Sequence, residues 1–162
     1  MAKKNVKRLM LAIEKLCHWD KALSDDENQR IVDGGFVLLE EVATTKDSDV
    51  LCEMFDVFNN EDKDDALANG VCETLENEIY RHFDFSQIMN VLYQKFGSLI
   101  ENNILRARNI SCACINVGKF EDFRKMFNLV RSKDSALLLD KIKYKDKYNK
   151  EIVILTKDMA GW

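Results

Sequence analysis

Three stretches of the chain share one apolar signature: Leu51–Phe58 reads LCEMFDVF, Met89–Phe96 reads MNVLYQKF and Phe123–Val130 reads FRKMFNLV. In each stretch the first, fourth, fifth and eighth residues are apolar, the spacing that places side chains on one face of an α-helix. The second stretch starts 38 positions after the first, and the third follows about 34 positions later. A helical unit with a period in the thirties is typical of stacked helical hairpins such as HEAT repeats.

The segments between these stretches complete the predicted hairpins. Longer helices are predicted over about residues 62–83 and 98–117, and a short helix is predicted near 135–143. The sequence thus predicts an all-α fold in one domain, residues 1–162. The domain would be a HEAT-like α-solenoid of stacked antiparallel hairpins with about eight helices and an irregular C-terminal tail over 143–162. An irregular helical bundle with coincidental spacing is the alternative.

Composition agrees with a helical chain. Proline, which breaks helix interiors, is absent from the 162 residues, and only six residues are glycine. No run approaches the roughly 18 apolar residues that a membrane-spanning helix needs. The five cysteines are scattered and form no C-x-x-C pair, which is typical of a reduced, cytosolic protein. We therefore predict a cytoplasmic location.

Two further helices precede the repeat. The buried stripe predicted for the first consists of Val6, Leu9, Met10, Ile13, Leu16 and Cys17. The second begins at Ser24, where the sequence S-D-D-E predicts a capping box with Glu27. Inside it, Gly34-Gly35 permits either a kink or the close approach of a neighbouring helix. Further along, Asp47 and Asp84 are predicted to cap the helices that follow them.

The acidic stretch NNEDKDDALANG, residues 59–70, resembles a calcium loop only superficially. An EF-hand loop needs glycine at its sixth position and a bidentate glutamate at its twelfth. Asp65 and Val71 occupy those positions when the loop is started at Asn60. Zinc is disfavoured as well, because Cys112 and Cys114 would point about 200° apart on a helix. We predict no metal and no cofactor.

No motif of a known catalytic site is present. The sequence lacks a P-loop, G-x-G-x-x-G, H-E-x-x-H and G-x-S-x-G. An enzyme that pairs one of the thiols with His18 or His82 is the alternative, since such partners need only meet in space. The prediction is a protein that is not an enzyme and has no catalytic residues.

Charge is strongly segregated along the chain. Residues 1–17 carry a net charge of +4, residues 18–80 carry −14 and residues 81–162 carry +6, within a total of −4. An acidic block of this size repels nucleic acid and can attract a basic protein. Single carboxylates on helix faces more often serve only solvation, and those in first turns offset the helix dipole.

The residues predicted to contact a basic partner come from the acidic block. They are Asp33, Glu40, Glu41, Asp62, Asp64, Asp65, Glu73, Glu76 and Tyr80. Leu67, Val71, Leu75 and Ile79 are expected to face the core, which leaves Asn69, Glu73, Glu76 and Tyr80 on the opposite side of the same helix. The runner-up is a nucleic-acid surface in the basic half, formed by Arg106, Arg108, Lys119, Arg124, Lys125 and Arg131.

A small, acidic, proline-free, cysteine-containing helical-repeat chain without a catalytic motif resembles the helical immunity proteins of bacterial contact-dependent growth inhibition and polymorphic toxin systems. The hairpin pattern and the acidic block from Asp20 to Glu78 carry the resemblance. It implies a protein that binds and blocks a cognate toxin domain, often a basic nuclease, without touching nucleic acid or membrane itself. The expected state is a monomer or a 1:1 heterodimer. A helical-repeat adaptor for another basic protein or peptide is the alternative.

Overall fold

The computed structural model describes residues 2–59, 66–116 and 118–129, and the regular structure in them is entirely helical, with no strand. The helices are α1 (Ala2–Leu16), α2 (Asp25–Ala43), α3 (Ser48–Asn59), α4 (Ala66–His82), α5 (Phe85–Asn102), α6 (Ile104–Asn116) and α7 (Phe120–Leu129). The predicted all-α class is confirmed. The helix predicted near 135–143 and the tail over 143–162 lie outside the described residues. The chain divides into two compact units, residues 1–91 and 92–162.

Helix α2 begins where the sequence predicts. The backbone N–H of Glu27 donates to Ser24 Oγ at 3.3 Å, and the backbone N–H of Ser24 donates to Glu27 Oε2 at 2.9 Å. Both halves of the capping box are therefore formed, and two N–H groups that a helix start leaves without partners are satisfied. One half of this arrangement is formed at α5, where the N–H of Asp84 donates to Gln87 Oε1 at 3.1 Å.

Helices α1 and α2 pack closely through Gly35. Helix α2 continues through both glycines without interruption, and a Cβ on Gly35 would lie 3.0 Å from Leu16 N and 3.1 Å from Ala12 O. Of the two possibilities that the glycine pair leaves open, the structure shows the close approach. With this contact, Leu9, Ala12 and Leu16 of α1 are buried in the core, whereas Met10 is 47% exposed.

The predicted stripe of α1 is thus partly wrong. Met10 and Cys17 are exposed, and the buried Ala12 was not predicted. The physical reason is that the helix is rotated to bring its small residue against Gly35, where two backbones can approach most closely.

Helix α3 supplies the centre of the first unit. Its four signature residues, Leu51, Met54, Phe55 and Phe58, are at most 1% exposed, which confirms the predicted core face. The rings of Phe55 and Phe58 meet edge to face with centroids 5.5 Å apart. Asp47 caps the helix as predicted, since its Oδ1 accepts from Asp49 N at 3.0 Å.

Within residues 1–91, helices α1, α3 and α5 begin at the same end. Asn5 Nδ2 donates to Asp47 Oδ2 at 3.1 Å, and Gln87 Nε2 donates to Lys46 O at 3.3 Å. Lys46 Nζ also lies 3.5 Å from Asp84 Oδ1. In addition, α1 packs on α3 and α2 packs on α4. Contacts between every second helix are those that stacked hairpins make, while a solenoid over the whole chain stays a prediction.

The boundary predicted between α5 and α6 is wrong. The apolar pattern predicts that one helix ends near Phe96 and the next begins at Ser98, but α5 continues to Asn102. Burial explains the difference, because Leu99 and Ile100 are at most 3% exposed and extend the apolar face by another turn. The break falls at the buried Asn103, whose Oδ1 accepts from Arg106 N at 3.0 Å and so caps α6.

The second unit, in its described part, is built on α6 and α7 together with the C-terminal half of α5. Phe96 and Phe123 are fully buried and meet edge to face with centroids 6.0 Å apart. Tyr93, predicted in the same apolar signature as Phe96, is instead 36% exposed. The side chains of Met126 and Phe127, also in that signature, lie outside the description.

Candidate partner-binding surface

The three acidic residues predicted on α2 lie on its solvent side. Asp33, Glu40 and Glu41 are all exposed, whereas Leu39 beside them is fully buried. Gln29 Nε2 donates to Asp33 Oδ1 at 2.8 Å, one helical turn away. Helix α2 therefore brings these three carboxylates together on a surface that a partner can reach.

Two of these carboxylates form ion pairs with neighbouring helices. Arg8 of α1 donates from Nη2 to Glu41 Oε2, and Arg81 Nη1 of α4 lies 3.4 Å from Glu40 Oε1. All four side chains are at least 36% exposed. Water screens pairs of this kind, so each contributes about 0–1 kcal/mol to stability. A stronger basic competitor can replace either arginine at little cost.

Helix α4 carries the second part of the predicted surface. Glu73 is exposed, Tyr80 is 41% exposed and Glu76 is half-buried, while Leu75 and Ile79 point into the core. The core face of α4 is therefore as predicted for its described residues. The side chains of Leu67 and Asn69 lie outside the description, as do residues 60–65 with Asp62, Asp64 and Asp65. The last five residues of the stretch compared with a calcium loop, 66–70, are the start of α4.

One ion pair links the acidic surface of α2 to α4. Arg81, which pairs with Glu40, marks the side of α4 that faces α2. Glu73 and Tyr80 are displaced from Arg81 by about a quarter turn of the helix, in the same direction. In the described part of the surface, the Glu40–Arg81 pair therefore connects the two helices, and Glu73 and Tyr80 share one side of α4.

Two large apolar side chains on α2 were not predicted as part of this surface. Phe36 is 46% exposed and Val37 is 59% exposed, although both lie in the middle of a helix that packs on α1, α3 and α4. The signal was present in the sequence. Once Leu38, Leu39 and Val42 are placed inward, Val37 falls on the opposite face, among the acidic residues already chosen.

The thiols and histidines form no obvious reactive site in the described residues. Burial raises the pKa of the Cys114 thiol to about 12, so it is almost wholly protonated at neutral pH. His82 Nε2 lies 3.0 Å from Glu78 Oε2, a contact of two half-buried side chains on one helix. Within residues 2–59, 66–116 and 118–129, no three His, Cys, Asp or Glu side chains are placed to hold a metal ion.

The basic residues of the runner-up surface differ in exposure. Arg106 and Arg108 on α6 are half-buried, and Lys119 and Lys125 are exposed. Arg124 Nη1 lies 4.0 Å from Glu121 Oε1 on the same helix. Arg131 lies outside the described residues. Arg124 is thus accompanied by an acidic neighbour, and Arg106 and Arg108 are only half-exposed, which weakens the case for a phosphate-binding stripe.

A cavity of about 490 Å³ lies between the N-terminal half of α1 and the connection from α2 to α3. It is lined by Lys4, Asn5, Arg8, Thr45 and Asp47. Its cations are offset, because Arg8 is paired with Glu41 and the Asp47 carboxylate is itself part of the lining. The lining therefore lacks the excess of one charge that would select an ionic ligand.

No family model matches the chain, and neither the curated proteins nor the solved structures contain a match. Among the helices described above, none has the length and apolar character to cross a bilayer. The functional argument therefore depends on the surface of the molecule.

Proposed function

We propose that the protein is an immunity protein that binds a basic toxin domain, a nuclease, and blocks its active site or substrate groove. The observation that carries the proposal is the concentration of charge: residues 18–80 carry eighteen acidic and four basic side chains. On α2 and α4 the acidic residues chosen from the sequence are exposed or half-buried, outside the core.

The mechanism is occlusion by charge mimicry. A nuclease holds the phosphates of its substrate with lysine and arginine side chains, and carboxylates spaced along a helix can occupy the same positions. Asp33, Glu40 and Glu41 on α2 and Glu73 on α4 would pair with those cations. Tyr80, which is 41% exposed, would supply an aromatic contact of the kind that anchors interfaces. No catalytic step by this chain is involved.

The test uses the product of the gene next to the one that encodes this protein, where immunity genes follow their toxin genes. We expect the C-terminal domain of that product to be toxic when expressed alone and to be neutralised and bound when co-expressed with this protein. Binding should weaken as salt rises, because exposed charges are screened over about 10 Å at 0.1 M ionic strength.

Charge reversal identifies the surface. Glu73→Lys with Glu76→Lys should weaken binding and reduce its salt dependence. The matched control is Glu101→Lys with Glu121→Lys, which makes the same charge change at two exposed positions outside the proposed surface. The proposal fails if the neighbouring product is not bound, or if both double variants bind it like the wild type. Binding without suppression of any toxicity would indicate an adaptor instead.

A further inference from the structure

The exposed apolar pair on α2 lies inside a group of carboxylates. On a helical surface, Val37 has Asp33 four residues before it and Glu40 and Glu41 three and four residues after it. Phe36 has Asp33 and Glu40 at the corresponding distances. Asp33, Phe36, Val37, Glu40 and Glu41, together called the α2 patch, thus form a continuous surface with an apolar centre and an acidic rim.

The exposed apolar centre of the α2 patch indicates a surface that binds a partner. A single exposed apolar residue is ordinary, but adjacent Phe36 and Val37 at 46% and 59% exposure are not covered by α1, α3 or α4, which all pack on α2. An apolar centre surrounded by a polar rim is the arrangement found at interface hot spots.

Charge decides which partner fits. The nineteen residues of α2 carry six acidic side chains and one basic one, Arg30. The acidic excess remains when the two arginines that reach it from outside, Arg8 and Arg81, are included. Nucleic acid and anionic lipid are repelled by such a surface, and two copies of the patch facing each other would oppose their carboxylates. A polypeptide segment that combines apolar and cationic side chains is attracted.

We propose that the α2 patch is the anchoring point for a basic segment of a protein partner in which apolar residues are interspersed with lysine or arginine. An apolar side chain of the segment covers Val37 and Phe36, and its cations reach Asp33, Glu40 and Glu41, replacing Arg81 and Arg8. The proposal deepens the proposed function and rests on it for the basic nature of the partner.

The probe is a short synthetic peptide of alternating leucine and lysine, titrated by fluorescence anisotropy. Two control peptides alternate serine with lysine and leucine with glutamate. We expect the wild type to bind the leucine–lysine peptide more tightly than either control, and Val37→Lys to weaken that binding by about tenfold or more, the loss typical of a hot spot. Because Val37 is 59% exposed, the variant should unfold at the wild-type temperature.

Leu11→Lys on α1 is the matched variant. Leu11 is 46% exposed and also has charged residues three and four positions before and after it, but on a basic helix. It makes the same apolar-to-lysine change and adds the same charge, and we expect it to leave peptide binding unchanged. Equal weakening by both variants would show a charge effect alone and would overturn the proposal.

Three other results would also overturn the proposal. Val37→Lys could bind the leucine–lysine peptide as tightly as the wild type, or the wild type could bind the serine–lysine peptide equally well. The protein could also self-associate in sedimentation, with Val37→Lys and Leu11→Lys each abolishing the self-association. The last result would identify α1 of a second copy as the occupant. Titration of the neighbouring gene product separates the two proposals. If the wild type fails to bind that product but binds the peptide through Val37, the proposed function is wrong and the inference about the α2 patch stands.

Discussion

Replacing Gly35 by alanine tests the packing of α1 on α2. The new Cβ would lie 3.0 Å from both Leu16 N and Leu16 Cγ and 3.1 Å from Ala12 O. Two of these atoms belong to the backbone of α1, so they cannot be relieved by a side-chain rotation. Inserting one carbon into a tightly packed contact typically costs about 1–3 kcal/mol. The gain in helix propensity from glycine to alanine, about 1 kcal/mol, offsets part of that cost.

Gly34→Ala is the matched control, because it changes the same chemistry one residue away. A Cβ there meets only Lys15 Nζ, at 3.6 Å, which is an ordinary contact with the end of a flexible side chain. Both variants gain the same helix propensity, which cancels in the comparison. We expect Gly34→Ala to be stabilised by up to about 1 kcal/mol and Gly35→Ala to be less stable than Gly34→Ala by about 1–3 kcal/mol.

Urea denaturation followed by far-ultraviolet circular dichroism measures the difference directly, and thermal unfolding should show a gap of about 2–4 °C per kcal/mol in a chain of this size. Gly70→Ala provides a second control, since its Cβ would have no neighbour within 4 Å. If Gly35→Ala is as stable as Gly34→Ala, the close approach of α1 and α2 is refuted.

Three further predictions concern single side chains. Asn28→Ala should destabilise the protein by about 1–3 kcal/mol in urea denaturation, because its 1% exposed amide makes three hydrogen bonds to the backbone of the α1–α2 connection; wild-type stability would contradict the buried amide. The hydrogen bond from Ser24 lowers the pKa of Glu27, so the ionised carboxylate stabilises the folded protein. Glu27→Gln should therefore be less stable than the wild type at neutral pH, and this difference should disappear as pH falls through the lowered pKa. A difference that persists in acid would exclude this cap. In the native protein, iodoacetamide should label exposed Cys17 far faster than Cys114, whose pKa burial raises to about 12, as peptide mass mapping would show; equal rates would contradict the burial.

Local chemistry was predictable from the sequence, whereas the choice of face and the ends of helices depended on neighbours. The caps at Ser24 and Asp84 involve residues three positions apart, so the sequence contains the whole interaction. The buried face of α3 was equally predictable, because its large apolar residues are concentrated on one side of the helix.

The wrong predictions, for the buried face of α1 and for the end of α5, both result from tertiary packing. The rotation of α1 follows from the approach of α2 at Gly35, which no pattern within α1 encodes. The glycine and serine after Phe96 suggest a helix end by propensity, but burial of Leu99 and Ile100 outweighs a propensity cost of about 1 kcal/mol. On the surface, the acidic residues were recognisable by type, and an inward Leu38, Leu39 and Val42 already indicated an outward Val37. How far Phe36 and Val37 are exposed, however, depended on the neighbours of α2.

The ion pairs of α2 already offset part of the acidic charge that a partner would meet. Formal charge assigns −14 to residues 18–80, yet Arg8 and Arg81, both from outside that block, sit on two of the carboxylates proposed to meet a partner. A partner's cations must therefore replace arginines that are already present, and the net gain per exchanged pair is small because both pairs are exposed to water. Long-range attraction can still accelerate association, since it depends on the summed charge of the block. A long-lived complex needs a favourable interaction that the unbound protein does not already make within itself. The exposed Phe36 and Val37 can supply it, by burying apolar surface against the partner.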